Sequence, residues 1–305
     1  MAYRFERDDG SVEKALRRIA GREIEKTLEG MEPGAHDGSI HAARKSCKKL
    51  RGLIRLVRPV FPRYAAENVA IRDAARLLSG PRDAAVLIET YDATMDAFGD
   101  EIDRPAMGRI RHGLTAQLKD RGADDGLRDR TDRFRRDMRA ALERSRRWKL
   151  ARDGFDGLSG GLEATLHRAR EALQTAQANP DASAMHAWRK RVKDHGYHAR
   201  LLEPVFPDVL GGHRKTTQRL GDLLGEHHDL AVFVEKLSGD AEGLGPAGTR
   251  DVAIALSRRR QALIEAEAFP LGARLFAEKP KALARRWGRW WRIWRDEPAA
   301  AAQSR

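Results

Sequence analysis

His41-Ala-Ala-Arg44-Lys45-Ser-Cys47-Lys48-Lys49-Leu50-Arg51-Gly52-Leu53-Ile54-Arg55-Leu56-Val57-Arg58-Pro59-Val60-Phe61-Pro62 has a counterpart further along the chain. It is His186-Ala-Trp188-Arg189-Lys190-Arg191-Val192-Lys193-Asp194-His195-Gly196-Tyr197-His198-Ala199-Arg200-Leu201-Leu202-Glu203-Pro204-Val205-Phe206-Pro207. His41, Arg44, Lys45, Lys48, Arg55 and Leu56 recur at one offset as His186, Arg189, Lys190, Lys193, Arg200 and Leu201, and Pro-Val-Phe-Pro closes both stretches. With one residue inserted the match resumes: Leu77-Leu78 against Leu223-Leu224, and Arg82-Asp83-Ala-Ala-Val86 against His228-Asp229-Leu-Ala-Val232. The period is too long for a solenoid repeat. It indicates a duplicated unit of roughly half the chain, joined near Trp148 to Gly154. The halves are 1–150 and 151–305.

Both copies have helical periodicity, as does almost the whole chain, and strand-like alternation is nearly absent. The pattern predicts helices over 11–30, 38–58, 64–79, 82–97, 103–121 and 126–149, then 157–177, 182–202, 207–225, 227–239, 248–268 and 279–295. Breaks are expected at Pro33-Gly34, Pro59, Pro62, Gly80-Pro81, Gly154, Gly160-Gly161, Pro180, Pro204, Pro207, Gly211-Gly212, Gly243 to Gly248, and Pro280. The fold class is all-α. A hydrophobic content of 41% suffices for a packed core, so the basic composition does not read as a disordered tail.

The net charge is +13, which calls for an anionic partner. Composition alone leaves nucleic acid, polyphosphate, anionic lipid and ribosomal surfaces open. The single cysteine excludes an intrachain disulfide, and the charged stretch from Met1 to Gly10 lacks the apolar core of a signal peptide. No apolar run approaches a membrane span. The expectation is a cytoplasmic protein without membrane insertion.

At about 100° per residue, His41, Arg44, Lys45, Lys48 and Arg55 share one helical stripe with Arg51 beside it. Cys47, Leu50, Leu53, Ile54 and Val57 fall opposite, so Cys47 reads as a small buried residue. From His41 to Arg58 there are seven Lys or Arg and no Asp or Glu. A solvated face normally interleaves charges, because like charges at i,i+4 repel. Here Arg44–Lys48 and Arg51–Arg55 are such pairs, tolerable if an anion neutralises them. The second copy offers His186, Arg189, Lys190, Lys193 and Arg200 with Tyr197 among them, flanked by Asp194 and Glu203. Arg72 and Arg76, and Arg214, Lys215 and Arg219, would extend the patches. Salt bridges with Asp73 or Glu67 are the competing role for the first pair.

His227-His228-Asp229 invites a metal-site reading, but the duplication places Pro81 and Arg82 at the two histidine positions, and arginine does not ligate metal. No metal site and no cofactor are expected. Asp83 and Asp229 read instead as carboxylates that orient an arginine. There is no phosphate-binding Gly-rich loop and no nucleophile elbow. Glu23-Ile24-Glu25-Lys26 falls one residue short of the Glu-x-Glu-x-Lys pattern of triphosphate-tunnel β-barrels. The chain is expected not to be an enzyme. Trp287, Trp290, Trp291 and Trp294, edged by Arg285, Arg286, Arg289, Arg292 and Arg295, read as core packing of a terminal helix whose Arg stems cover the margins. Membrane-surface binding is the alternative.

His41-x-x-Arg44-Lys45-x-x-Lys48-x-x-Arg51, then Ile54-Arg55-Leu56 and Leu78-Ser-Gly-Pro-Arg82-Asp83-x-x-Val86, resembles the conserved-histidine α-helical domain (CHAD) family. His186-x-x-Arg189-Lys190-x-x-Lys193 and Leu224-Gly-Glu-His-His-Asp229-x-x-Val232 resemble that domain's second half, and Gly272-Ala-Arg-Leu-Phe-Ala-Glu-Lys-Pro-Lys281 resembles its C-terminal end. The resemblance implies a single such domain over 1–305, with two pseudo-symmetric helical bundles and a basic groove or pore between them. It also implies non-catalytic binding of inorganic polyphosphate, often at polyphosphate granules, with granule-associated proteins as further partners. By position the anion-binding set is His41, Arg44, Lys45, Lys48, Arg51, Arg55 and Arg82 with His186, Arg189, Lys190, Lys193, Arg200 and His228. Gly196 replaces the repeat of Arg51, and His228 replaces that of Arg82, so the first stripe is expected to grip more strongly. Histidines beside a polyanion would gain charge and tighten binding at mildly acidic pH. The alternatives are a nucleic-acid-binding helical protein and a polyphosphate-processing enzyme. Few aromatics, Asn or Gln lie on the basic faces to stack or read bases, which counts against the former.

Overall fold

In a computed structural model of the chain, the structure describes residues 3–31, 37–78, 82–120, 126–239 and 242–297; the side chains at 37, 82–84, 100 and 120 are outside this set. The described residues form eleven α-helices: α1 (Val12–Glu29), α2 (Asp37–Leu56), α3 (Tyr64–Leu77), α4 (Arg82–Ala97), α5 (Arg104–Asp120), α6 (Leu127–Ser145), α7 (Asp156–Ala178), α8 (Ala182–Leu202), α9 (Pro207–Ser238), α10 (Ala247–Leu275) and α11 (Pro280–Asp296). Short 3₁₀ turns occupy Arg58–Val60, Gly99–Glu101 and Glu203–Val205. The described residues contain no strand, so the protein is all-α. None of their helices is long and apolar enough to cross a membrane. Local chemistry sets several starts: Ser11 accepts from the Lys14 amide at 3.0 Å to cap α1, and Asp181 accepts from Ala184 at 2.7 Å to cap α8.

Two expected boundaries shift. The pattern predicts a break between 225 and 227, but α9 runs unbroken through Gly225-Glu226-His227. Leu224 and His227 are buried on either side, so packing overrides the weak helix propensity of Gly225. The pattern also ends a helix at 268, whereas α10 continues past Pro270 to Leu275. There Phe269 stacks on Trp188 at 5.5 Å, and Gly272 abuts the same indole. These contacts hold the turn that follows the lost Pro amide. Gly160-Gly161 and Gly211-Gly212, expected as breaks, lie inside α7 and α9. A Cβ on Gly161 would fall 1.8 Å from the Leu56 carbonyl oxygen, so that glycine permits close packing of α7 on the end of α2.

The hydrophobic cores do not follow the sequence halves. One takes Leu16 and Ile19 of α1, Leu50, Leu53 and Ile54 of α2, Ile71 of α3 and Phe134 of α6. The same core takes Leu162 and Leu166 of α7, Trp188 and Val192 of α8, Leu220 of α9, and Trp287, Trp291 and Trp294 of α11. The other unites Tyr91 and Met95 of α4 and Ile110 and Leu114 of α5 with Phe233 and Leu237 of α9 and Ala253 of α10. Each fully buried Leu or Ile contributes about 1.5–3 kcal/mol, so neither half keeps its core alone. The Trp stripe of α11 is core, as its sequence suggests, with only Trp290 partly exposed. Cys47 is fully buried, and burial pushes its thiol up to about 12.

The halves meet where α2 and α8 pack. A Cβ on Gly52 would lie 2.8 Å from the Cβ of Tyr197, so only glycine allows this approach. His198, buried and pushed down to about 3 mainly by desolvation, donates from Nε2 to the Gly52 carbonyl at 3.0 Å. One turn on, Arg55 forms a buried ion pair with Asp194, whose other oxygen lies 3.2 Å from Arg191. Burial raises the Asp194 carboxyl despite the opposing pull of Arg55, Arg191 and Arg168. Removing one partner of such a pair strands a buried charge. Asp194→Ala is therefore expected to cost roughly 3 kcal/mol or more in urea unfolding, and Arg55→Met with Asp194→Leu much less than the single change.

Candidate polyanion-binding site

The α2–α8 junction brings together cations from both repeats. The Lys48 ammonium is held below the usual lysine range by partial burial, then by the charges of Arg189, Arg44 and Lys193. Four cations, two from each helix, thus share one locality. Arg44 is oriented by donating from Nη1 to the Leu78 carbonyl at 3.0 Å. Arg189 keeps its buried Nε without a hydrogen-bond partner among the described residues. Lys193 has one counter-charge, Asp222 at 3.2 Å. Lys45 and Lys190 lie exposed beside the cluster on the same helices, as does His41.

Two histidines border the cluster. His186 stacks on His228, ring centroids 4.2 Å apart and 29° between planes. Desolvation, then His228, Lys190 and Arg189, push His186 down to about 4. His228 is lowered by burial, Arg189 and Lys190. His186 is therefore neutral over the range in which free histidine titrates, so its share of the expected tightening at mildly acidic pH shifts to lower pH unless an anion raises it. His227 does not share their setting. It is buried with Nε2 2.9 Å from Glu265. Among the described residues no group of three or more His, Cys, Asp or Glu could hold a metal ion.

A cavity of about 360 Å³ opens beside Arg189 and Lys193, between α4, α8, α9 and α10. Its walls also carry Glu89, Asp222, Glu226, Asp229 and Arg260. Carboxylates there outnumber cations, so the cavity is no single-sign channel for a polyanion.

The other expected residues whose side chains are described have different surroundings. Arg55 is consumed by Asp194, so it is structural rather than a free cation of the stripe. Arg51 donates to Asn68 at 2.9 Å and is lowered by burial and by Arg55. Arg72 and Arg76 both pair with Asp73, at 2.8 and 3.3 Å. Arg214 pairs with Glu203 at 2.8 Å and Arg219 with Glu267 at 2.7 Å. Tyr197 packs on Gly52 and edge-on to Tyr3, and burial pushes its phenol up to about 12, so it is a packing residue. Arg200 and Lys215 are exposed. The side chains of Arg82 and Asp83 lie outside the described residues.

Sequence reasoning noted Asp194 only as a flanking acid and passed over Asp222. Asp194 stands at the repeat position of Lys49, which itself pairs with Glu23 at 2.8 Å. That reversal of charge between copies was a signal of its bridging role. Asp222 stands at the repeat position of Arg76, a second reversal of charge, and its partner Lys193 comes from another helix.

A family comparison matches residues 12–238 to the CHAD domain. The chain belongs to the CHAD domain family. The matched segment begins with the first residue of α1 and ends with the last of α9, so the CHAD match holds the whole cationic junction and leaves out α10 and α11. No curated protein matches this CHAD chain.

Burial sets the acid response of the CHAD fold. His186 and His213 are pushed down to about 4 and His198 to about 3, all mainly by desolvation, from an ordinary value of 6.5. A lowered folded-state pKa means the unfolded chain binds more protons between these values. Stability is therefore present above about 6.5 and lost as pH falls towards 4 and then 3. Thermal melts across that range should show a falling Tm, and His186→Gln should flatten part of the slope.

Proposed function

We propose that this CHAD domain binds inorganic polyphosphate at the α2–α8 junction, electrostatically and without catalysis. The family, whose domain binds polyphosphate in general terms, supports the choice of anion. The observation that carries the reading is the convergence of Arg44, Lys48, Arg189 and Lys193, with Lys48 held down by partial burial and then by its three cationic neighbours. Arg72, Arg76, Arg214 and Arg219 have intramolecular carboxylates, whereas among the described residues these four have only Asp222, paired with Lys193. A phosphate chain supplies the missing negative charge. Arg44 and Arg189 offer forked donors, and Lys48 and Lys193 offer compact point charges. The two repeats then contribute to one site in a basic groove between the halves, rather than to two separate stripes of unequal grip. Granule association would follow from such binding in the cytoplasm.

Labelled polyphosphate titrated at several salt concentrations tests this. Wild-type affinity should fall steeply with salt. Charge reversal at Arg44, Lys48, Arg189 and Lys193 should abolish tight binding and flatten the salt dependence by about 3 in log–log slope, taking single-strand behaviour as a guide. Affinity that ignores salt or survives the reversal would sink the reading. Competition by DNA or RNA at equal phosphate concentration would favour the nucleic-acid alternative. Chain shortening in the presence of divalent metal would favour an enzyme.

A further inference from the structure

The helix α11 carries a second cationic face that the polyphosphate site does not include. From Pro280 to Asp296 it has six Lys or Arg and one carboxylate, Asp296. Among the helices only α2 has the same imbalance, with six against Asp37. By contrast α6, with seven arginines, interleaves Asp129, Asp132, Asp137 and Glu143. Such interleaving is the ordinary state of a solvated helix surface.

Geometry separates the faces of α11 cleanly. Leu283, Ala284, Trp287, Trp291 and Trp294 are buried. Lys281, Arg285, Arg289 and Arg292 follow one another at four, four and three residues and are all exposed. They make one ridge about 16 Å long at 1.5 Å per residue. Lys281–Arg285 and Arg285–Arg289 are like-charge i,i+4 pairs. Of the flanking arginines, Arg286 is occupied by Glu278 at 2.5 Å and Arg295 by the Arg7 carbonyl at 2.7 Å. The ridge itself has no carboxylate within salt-bridge distance among the described residues.

We infer that the outer ridge of α11, formed by Lys281, Arg285, Arg289 and Arg292, is a second contact for an extended inorganic phosphate chain. This rests on the reading of the α2–α8 junction as a polyphosphate site. A chain long enough to leave the junction reaches a second cationic ridge on the same molecule or on another one. The contact adds avidity that depends on chain length. The charge pattern favours a phosphate polymer over a lipid surface, because the tryptophans point inward and Ile293 is the lone strongly exposed apolar residue of the helix, at 62%.

The test compares the full chain with Arg285→Glu/Arg289→Glu/Arg292→Glu, and with the same three positions changed to Gln. Affinity is measured for tripolyphosphate and for long-chain polyphosphate, with tryptophan fluorescence reporting that α11 stays docked. Expected is a loss of roughly tenfold or more for long chains with little change for tripolyphosphate, smaller in the Gln variant. Unchanged long-chain affinity, or equal losses for both ligands, overturns the inference while leaving the junction site standing. So does a variant that loses binding to phosphatidylserine vesicles while keeping long-chain affinity. A wild-type chain that binds neither phosphate ligand overturns the junction reading itself.

Discussion

Two helices that each carry an excess of positive charge pack against each other over a single glycine, and their mutual repulsion shapes their surroundings. Unit charges about 4 Å apart near a protein surface interact by about 4 kcal/mol. The junction of α2 and α8 cannot leave all its cations in that state. At the buried end Asp194 draws in Arg55 and Arg191. At the open end Arg44, Lys48, Arg189 and Lys193 stay together with Asp222 as their one described counter-charge, and partial burial together with the neighbouring cations holds Lys48 down. The difference between the ends is burial. A carboxylate is indispensable where water is absent, whereas the open end can leave charge for a ligand to neutralise.

The apolar architecture makes that tension bearable. Both cores are shared between the sequence halves, so separating α2 from α8 would break the larger one. Tyr3 reinforces the seam by donating to the Lys49 carbonyl at 2.7 Å while its ring meets Tyr197 edge-on. Trp188, one turn from the cluster, is clamped by Phe269 and Gly272 of α10. Side chains on the inner face of α8 thus hold rigid the helix that presents Arg189 and Lys193 on its outer face. A site built this way keeps its cations close without help from bound anions, and pre-organisation lowers the ordering cost of binding.

Much of this was legible in the sequence, because the relevant signals are local. Periodicity, Pro and Gly placement, and the internal repeat sufficed for the all-α class, for most helix limits, and for the two helices whose cations converge. What stayed hidden depends on partners distant in the chain. The continuity of α9 and α10 comes from burial around Gly225 and Pro270, which no local pattern encodes. The sorting of cations into occupied and available depends on carboxylates contributed by other helices, as with Arg219 and Glu267 or Arg55 and Asp194. Stripe membership identifies Arg55 and Lys48 equally well; only tertiary packing separates the buried ion pair from the exposed ammonium.

The same electrostatics couples folding, proton uptake and ligand binding. Lys48, His186 and His228 are all displaced towards their neutral forms by burial and by cationic neighbours. Each displacement means that the free protein resists charge at that position. A polyanion in the junction reverses the local potential, so it favours protonation of the three groups whose charge the free fold opposes. By linkage the protons taken up must strengthen binding, and a ligand selective for the folded state must stabilise the fold. The histidine stack therefore takes the place that an arginine fills in the first repeat without simply weakening the grip. A bound polyanion would make that part of the charge conditional, since His186 is held towards its neutral form in the free protein.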